Sequence, residues 1–155
     1  SARIDSLVEL ADRLMADNRK LREREQALLG ERDDLQKKNE LAKARVEAII
    51  LRHAPDAVIH GADVDRLPNT VFFTIPGLKA ETLQIAFDLS GVALSAGSAC
   101  SSGKLGASHV LEAMGLGHLG GALRVSIGHE TNDADLALFE SALRDVVSRR
   151  AARAA

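Results

Sequence analysis

The chain has no tryptophan, no tyrosine and four phenylalanines among 155 residues, so aromatic side chains make up 3% of it. Any core must be built from Leu, Val, Ile and Ala, which the 46% hydrophobic content can supply. A single cysteine, Cys100, excludes an intrachain disulfide framework and any multi-cysteine metal site. Charge of one sign is also lacking. The formal net charge is -2, with a pI near 6.2, which gives no electrostatic case for DNA, RNA or an anionic membrane. No apolar run approaches the roughly 20 residues of a membrane span. The opening stretch SARIDSLVEL lacks the layout of a signal peptide. These absences predict a cytoplasmic soluble protein with neither nucleic acid nor membrane as partner.

What is present divides in two. Residues 1–45 hold no proline and one glycine, and are dense in Arg, Lys, Glu, Asp, Leu and Ala. From Pro55 onward, Gly, Pro, Val, Ile, Phe and Thr appear in short punctuated runs. The first part carries a heptad. Leu7, Leu14, Leu21, Leu28 and Leu35 recur every seventh residue, and Ala42 and Ile49 continue the series as d positions. The matching a positions are Ile4, Ala11, Asn18, Glu25, Arg32, Asn39 and Val46. A leucine ladder beside a polar column makes a weak seam, and Glu25 and Arg32 resist burial unless they pair or the helices run antiparallel. One helix of about 50 residues cannot bury its own stripe. It is either a solvated amphipathic helix or, the more economical reading, a self-associating coiled coil. Residues 7–50, most of all KNELAKARVEAI, resemble small bacterial coiled-coil proteins of the ZapB-like type.

The second part alternates strands and helices. DAVIHG and TVFFTI read as strands, KAETLQIAFDLSG as a helix ending at Gly91, and VALSAG as a strand. HVLEAMG reads as a helix opened by Ser108 and closed by Gly115, and ALRVSIG as a further strand. TNDADLALFESALRDVVSRRAARAA reads as a final helix with Thr and Asn cap candidates. The predicted order is β-β-α-β-α-β-α, an α+β sandwich over residues 51–155 behind a helix over residues 1–50.

Cys100 sits among Gly97, Ser98, Ala99, Ser101, Ser102 and Gly103. So many small residues predict an accessible, mobile loop. There a thiolate could move between a place of loading and a place of unloading, helped electrostatically by Lys104. On the loop alone, an incidental free cysteine is the more economical reading. A phosphate-binding Walker loop is excluded, because five residues separate Gly97 from Gly103 and Leu105 stands where Ser or Thr is required. A Cys-His nucleophile pair could use His109, His118 or His129, but nothing in the sequence brings one to Cys100.

The stretch RLPNTVFFTIPGLKAETLQIAFDLSGVALSAGSACSSGKLGASHVLEAMGL, followed by ALRVSIGHET, closely resembles the C-terminal part of NifS/IscS-type cysteine desulfurases. The resemblance runs from about residue 50 to residue 147. It implies the small domain of a fold-type I pyridoxal phosphate (PLP) enzyme and the setting of iron–sulfur cluster assembly. It implies that Cys100 is the nucleophile that becomes a persulfide and passes sulfur to an acceptor protein. Arg124 matches the arginine that pairs with the substrate carboxylate, a task suited to guanidinium. Asn69, Ser98 and His109 match positions read as structural. Such enzymes also carry a large domain with a Schiff-base lysine after histidine, and this chain has no His-Lys pair. Lys20, Lys37, Lys38 and Lys43 fall in the heptad segment, and Lys79 and Lys104 lack that context. The chain therefore reads as two families joined. It is expected to be a partial desulfurase with no PLP bound to it alone, assembled as a homo-oligomer through its N-terminal helix. The alternative is a coiled-coil interaction protein with an inactive passenger domain.

Overall fold

A computed structural model describes residues 2–97, 109–119 and 121–154, with the side chains of His109 and of 151–154 left aside. Two compact units divide at residues 38 and 39. The heptad segment forms one helix, α1, Ala2–His53. Along residues 2–38 its ladder leucines stand in solvent, from Leu21 at 66% exposure to Leu35 at 42%. The heptad positions that continue the ladder behave differently. Val46, Ile49 and Ile50 are buried in the core of the second unit, and Ala42 packs against it. The coiled-coil expectation thus covers a stripe whose last two turns are already occupied by the chain's own core.

Beyond α1 the elements follow the predicted order: β1 (Val58–Ile59), β2 (Thr70–Thr74), α2 (Ala80–Leu89), β3 (Ser95–Ala96), α3 (His109–Ala113), a 3-10 turn at Gly117–Leu119, β4 (Leu123–Ser126) and α4 (Asp133–Ala154). The four strands form one antiparallel sheet in the order β1-β2-β4-β3. The alternation of the β pleat sorts its side chains. Val71 opposite Val125 and Phe73 opposite Leu123 turn into the core. They join Val46, Ile49 and Ile50 of α1, Leu83 and Phe87 of α2, and Leu136, Phe139 and Leu143 of α4 in one cluster. Phe87 and Phe139 stack with ring centroids 5.6 Å apart, so half the chain's aromatic residues sit at one helix–helix contact.

Local chemistry fixes the ends. In α2 the Gly91 N–H bonds the Asp88 carbonyl and the Val92 N–H bonds the Phe87 carbonyl. With Gly91 at φ 79°, this is a Schellman ending that an L side chain would strain. The start of α4 is a capping box. Asn132 Oδ1 accepts from the backbone N–H of Ala134 and Asp135, and Asp135 Oδ2 accepts from that of Asn132. Contacts between distant charged residues tie α4 to α1 and to the turn after it: Arg45 to Asp133, Arg52 and His53 to Glu140, and Arg150 to Asp56. Hydrogen bonding by Arg150 holds the Asp56 carboxyl below its ordinary pKa.

One buried polar chain crosses the sheet. Thr74 donates its hydroxyl hydrogen to the Gly121 carbonyl at 2.9 Å. Its oxygen must therefore accept the 2.8 Å bond from His60 Nε2. That fixes the neutral Nε2–H tautomer and leaves His60 Nδ1 buried with no partner among the described residues. Gly121 makes the arrangement fit, because a Cβ there would stand 2.9 Å from Ala80 Cβ.

Two measurements test this packing. Leu143→Ala, at a fully buried position, should cost about 2–5 kcal/mol in urea unfolding. Burial lowers the His60 pKa from 6.5, so below that value the unfolded chain binds a proton that the folded chain refuses. Stability is then complete above pH 6.5 and falls as pH drops below it. His60→Gln should flatten that part of the stability–pH curve; an unchanged slope would assign it to another group.

Candidate functional site

The sheet face turned away from the core is where the sequence-predicted arginine lies. Arg124 is opposite Phe72 in β2 and opposite Ser95 in β3. Because the His60 N–H bonds the Phe72 carbonyl at 2.8 Å, the four strands place His60, Phe72, Arg124 and Ser95 in one cross-strand row. The His60 and Phe72 rings meet at 5.2 Å. Phe72 is half-buried, His60 is buried, and Arg124 is half-buried. This row gives the arginine an apolar neighbour on one side and a hydroxyl on the other.

The guanidinium is only partly satisfied. One terminal nitrogen donates to Ser95 Oγ at 3.3 Å, a long bond for a charged donor. Its Nε is buried without a hydrogen-bond partner among the described residues. Among the described residues this half-buried guanidinium makes one weak bond, so most of its five donors are not taken up there. That is a suitable holder for an anion such as a carboxylate.

Cys100, Ser98, Lys104 and the Ser108 cap lie outside the described residues, and the side chain of His109 is likewise not described. The chain enters that stretch from β3. Gly97 ends it at φ 81°, its N–H bonded to the Ala122 carbonyl at 2.8 Å. The strand that pairs with the arginine is therefore the one that leads to the cysteine. His118 and His129 are exposed, and His129 faces Glu130 at 3.7 Å. Asn69 accepts the Ile127 N–H on its carbonyl and the Thr70 hydroxyl on its side chain, which is structural work. His60 was not singled out by sequence reasoning. Its place beside Arg124 depends on strand pairing, and only the run V-I-H before a glycine hints at a strand end.

A family model for class-V aminotransferases matches residues 28–139. The chain belongs to the class-V aminotransferase family. It is 34% identical over 115 residues to a cysteine desulfurase of Nostoc sp., an alignment covering 73% of this chain and 29% of that protein. It is 39% identical over 87 residues to the cysteine desulfurase IscS of Clostridium botulinum, covering 55% and 22%. A NifS-like protein from Rickettsia africae superposes with a TM-score of 0.61 at 28% identity, over 73% of this chain and 29% of that one. The chain thus spans less than a third of the length of the relatives it matches. The matched region begins inside α1, so the end of that long helix belongs to the family's pattern.

The family is PLP-dependent. The described residues do not fit that cofactor. Of the lysines in the second unit, Lys43 is held by Glu40 at 2.7 Å and Lys79 is exposed at the start of α2. The Lys43 ammonium, though largely buried, is tied up in that ion pair, and Lys79 stands in solvent, so neither is a free buried amine placed for an imine. Among the described residues no cluster of His, Cys, Asp and Glu could hold a metal ion, and no helix is long and apolar enough to cross a membrane.

An arginine kept for a ligand should contribute little to the fold. Arg124→Met should change unfolding free energy by no more than about 1 kcal/mol, since a half-buried charge with one weak bond among the described residues gives way to an apolar chain of similar length. A loss of several kcal/mol would make Arg124 a structural residue.

Proposed function

We propose that this chain is a partial cysteine desulfurase-like protein in which Cys100 carries sulfur as a persulfide. The observation that supports it most directly is Arg124, whose guanidinium makes one weak bond among the described residues and faces β3, the strand that runs into the cysteine segment. The family membership and the cysteine desulfurase relatives point the same way. Because the described lysines offer no imine site, the sulfur comes from a persulfide on another protein. The Cys100 thiolate attacks the outer sulfur of the donor persulfide. A new S–S bond forms at Cys100, the donor's S–S bond breaks, and the donor leaves as a thiolate. The reverse exchange hands the sulfur to an acceptor thiolate, with no external oxidant or reductant at either step. Arg124 would hold a carboxylate of the incoming group and orient it toward the thiol.

A second role resides in residues 1–38. Their exposed leucine ladder supports self-association of the ZapB-like kind, with the family domain carried on a coiled coil. The two roles are compatible, and the sulfur-carrying one draws on the larger body of observation.

The test incubates the purified chain with a complete cysteine desulfurase and cysteine, then measures the mass of the Cys100 peptide. Cys100 should gain one sulfur atom, lost again on reduction, and Cys100→Ser should abolish the gain. The chain alone should release no sulfide from cysteine and show no imine absorbance when PLP is added. A Cys100 that takes up no sulfur, or that alkylates only after unfolding, would end the sulfur-carrier reading.

A further inference from the structure

β1 is lightly anchored. It lies at the edge of the sheet, spans only Val58 and Ile59, and has β2 as its one neighbour. Neither residue belongs to the fully buried core; Ile59 packs against that core while only half-buried. Its backbone bonds are few. Bonded residue pairs alternate along an antiparallel ladder. The His60 N–H bonds the Phe72 carbonyl, so the bonded pairs are His60 with Phe72 and Val58 with Thr74, and Ile59 with Phe73 lies between them. His60 spans both bonded pairs, because its backbone holds Phe72 while its ring Nε2 reaches Thr74. We propose that His60 is a proton-operated latch: a proton on its ring frees β1 from β2 while the rest of the second unit stays folded.

The closed strand has no place for that proton. With Nε2–H committed to Thr74, the proton must go to Nδ1, which is buried without a partner among the described residues. An uncharged acceptor tolerates this. A charged N–H there lacks both water and an acceptor. The neighbouring groups offer no counter-charge. β2 sets Phe72 and Thr74 against the ring, and neither ionises. β4 contributes Arg124 one strand further along the row, a like charge. The turn after β1 brings Arg66, whose Cδ lies 3.9 Å from the Cβ position of Gly61, and Arg66 is already paired with Glu47 of α1. Asp63 and Asp65 of that turn are exposed, as are Lys79 and Glu81, which flank the Ala80 that meets Gly121. Burial accordingly lowers the His60 pKa, and no carboxylate raises it.

Release is local because the core does not run through β1. The buried cluster draws on α1, β2, α2, β4 and α4, and the four register pairs of β2 with β4 do not involve the edge strand. What changes is the outer face. Phe72 loses the ring that backs it, so the row that carries Arg124 opens from its far end. This latch belongs to the sheet and is independent of the role proposed for Cys100.

Hydrogen exchange on the full chain tests it, with labelling times scaled for the intrinsic pH dependence of amide exchange. The opened strand takes its proton at the ordinary 6.5, so moving from about pH 7.5 to about pH 5.5 raises its opening constant by up to about tenfold. Peptides covering residues 56–62 should lose protection by that factor, and at both pH values they should exchange faster than α4 peptides over residues 136–146. His60→Gln offers an amide N–H to Thr74 and does not titrate, so it should remove the pH difference. The same difference in that variant would overturn the latch. So would a β1 that exchanges no faster than α4, since the strand would then open only with the whole unit. A second measurement needs no variant: in the folded wild-type chain the His60 ring, followed by NMR, should titrate below 6.5, and a ring that titrates at or above that value would overturn the inference.

Discussion

The pairing of β2 with β4 is the constraint on which the second unit depends. Four register partners, Thr70 with Ser126, Val71 with Val125, Phe72 with Arg124 and Phe73 with Leu123, decide both faces of the sheet at once. A slip of one residue would either turn Val71 and Phe73 away from α2 and α4 or, if β2 held its place, drive Arg124 into the apolar core. The energetic demand for burying two β-branched and two bulky side chains therefore also fixes where the guanidinium points. The core specifies the site, because the pleat leaves it no freedom to do otherwise. The His60–Thr74–Gly121 chain reinforces the same register, since its bonds reach from β1 through β2 to the residue two before β4.

Position along the sheet explains why the outer strands are so short. DAVIHG reads as a full strand, yet only Val58–Ile59 pairs, and VALSAG contracts to Ser95–Ala96. Both are edge strands, bonded on one side only. Each is followed closely by a glycine at positive φ, Gly61 at 71° and Gly97 at 81°. Propensity was enough to locate these strands but not to bound them, because their length is set by the neighbour they pair with. TVFFTI pairs on both sides and keeps five residues. The helix ends were legible for the opposite reason. The Gly91 and Asn132 caps act within a few residues of themselves, so their chemistry is written locally.

The site divides along the same line. Arg124 was legible through the motif in which it sits, and the structure adds what no motif carries: a weak bond to Ser95, an Nε without a partner among the described residues and a phenylalanine alongside. His60 was not legible, since its partners are 14 and 12 residues away and meet it only after strand pairing. The ion pairs Arg45–Asp133, Arg52–Glu140 and Arg150–Asp56 span 88 to 94 residues. They join charges that in sequence look like ordinary solvated helix faces. Cys100 stood out as a lone thiol among small residues, drew its sulfur-carrying role only from the family resemblance, and lies outside the described residues.

The long helix shows how one periodicity can serve two ends. Its heptad runs unbroken from Ile4 to Ile49, yet the residues change character at the boundary between the two units. Up to Leu35 the a positions are largely polar or charged. The last core-facing positions, Val46 at a with Ala42 and Ile49 at d, are apolar and packed against the sheet's own cluster. A pure leucine seam throughout would compete with the core for its own last turns, and a parallel copy could slide into them. The exposed part keeps polar and charged side chains beside its leucines, while the apolar end commits to the fold. The change of residue character at the boundary is what lets one unbroken heptad be solvent-exposed over its first part and core-packed over its last turns.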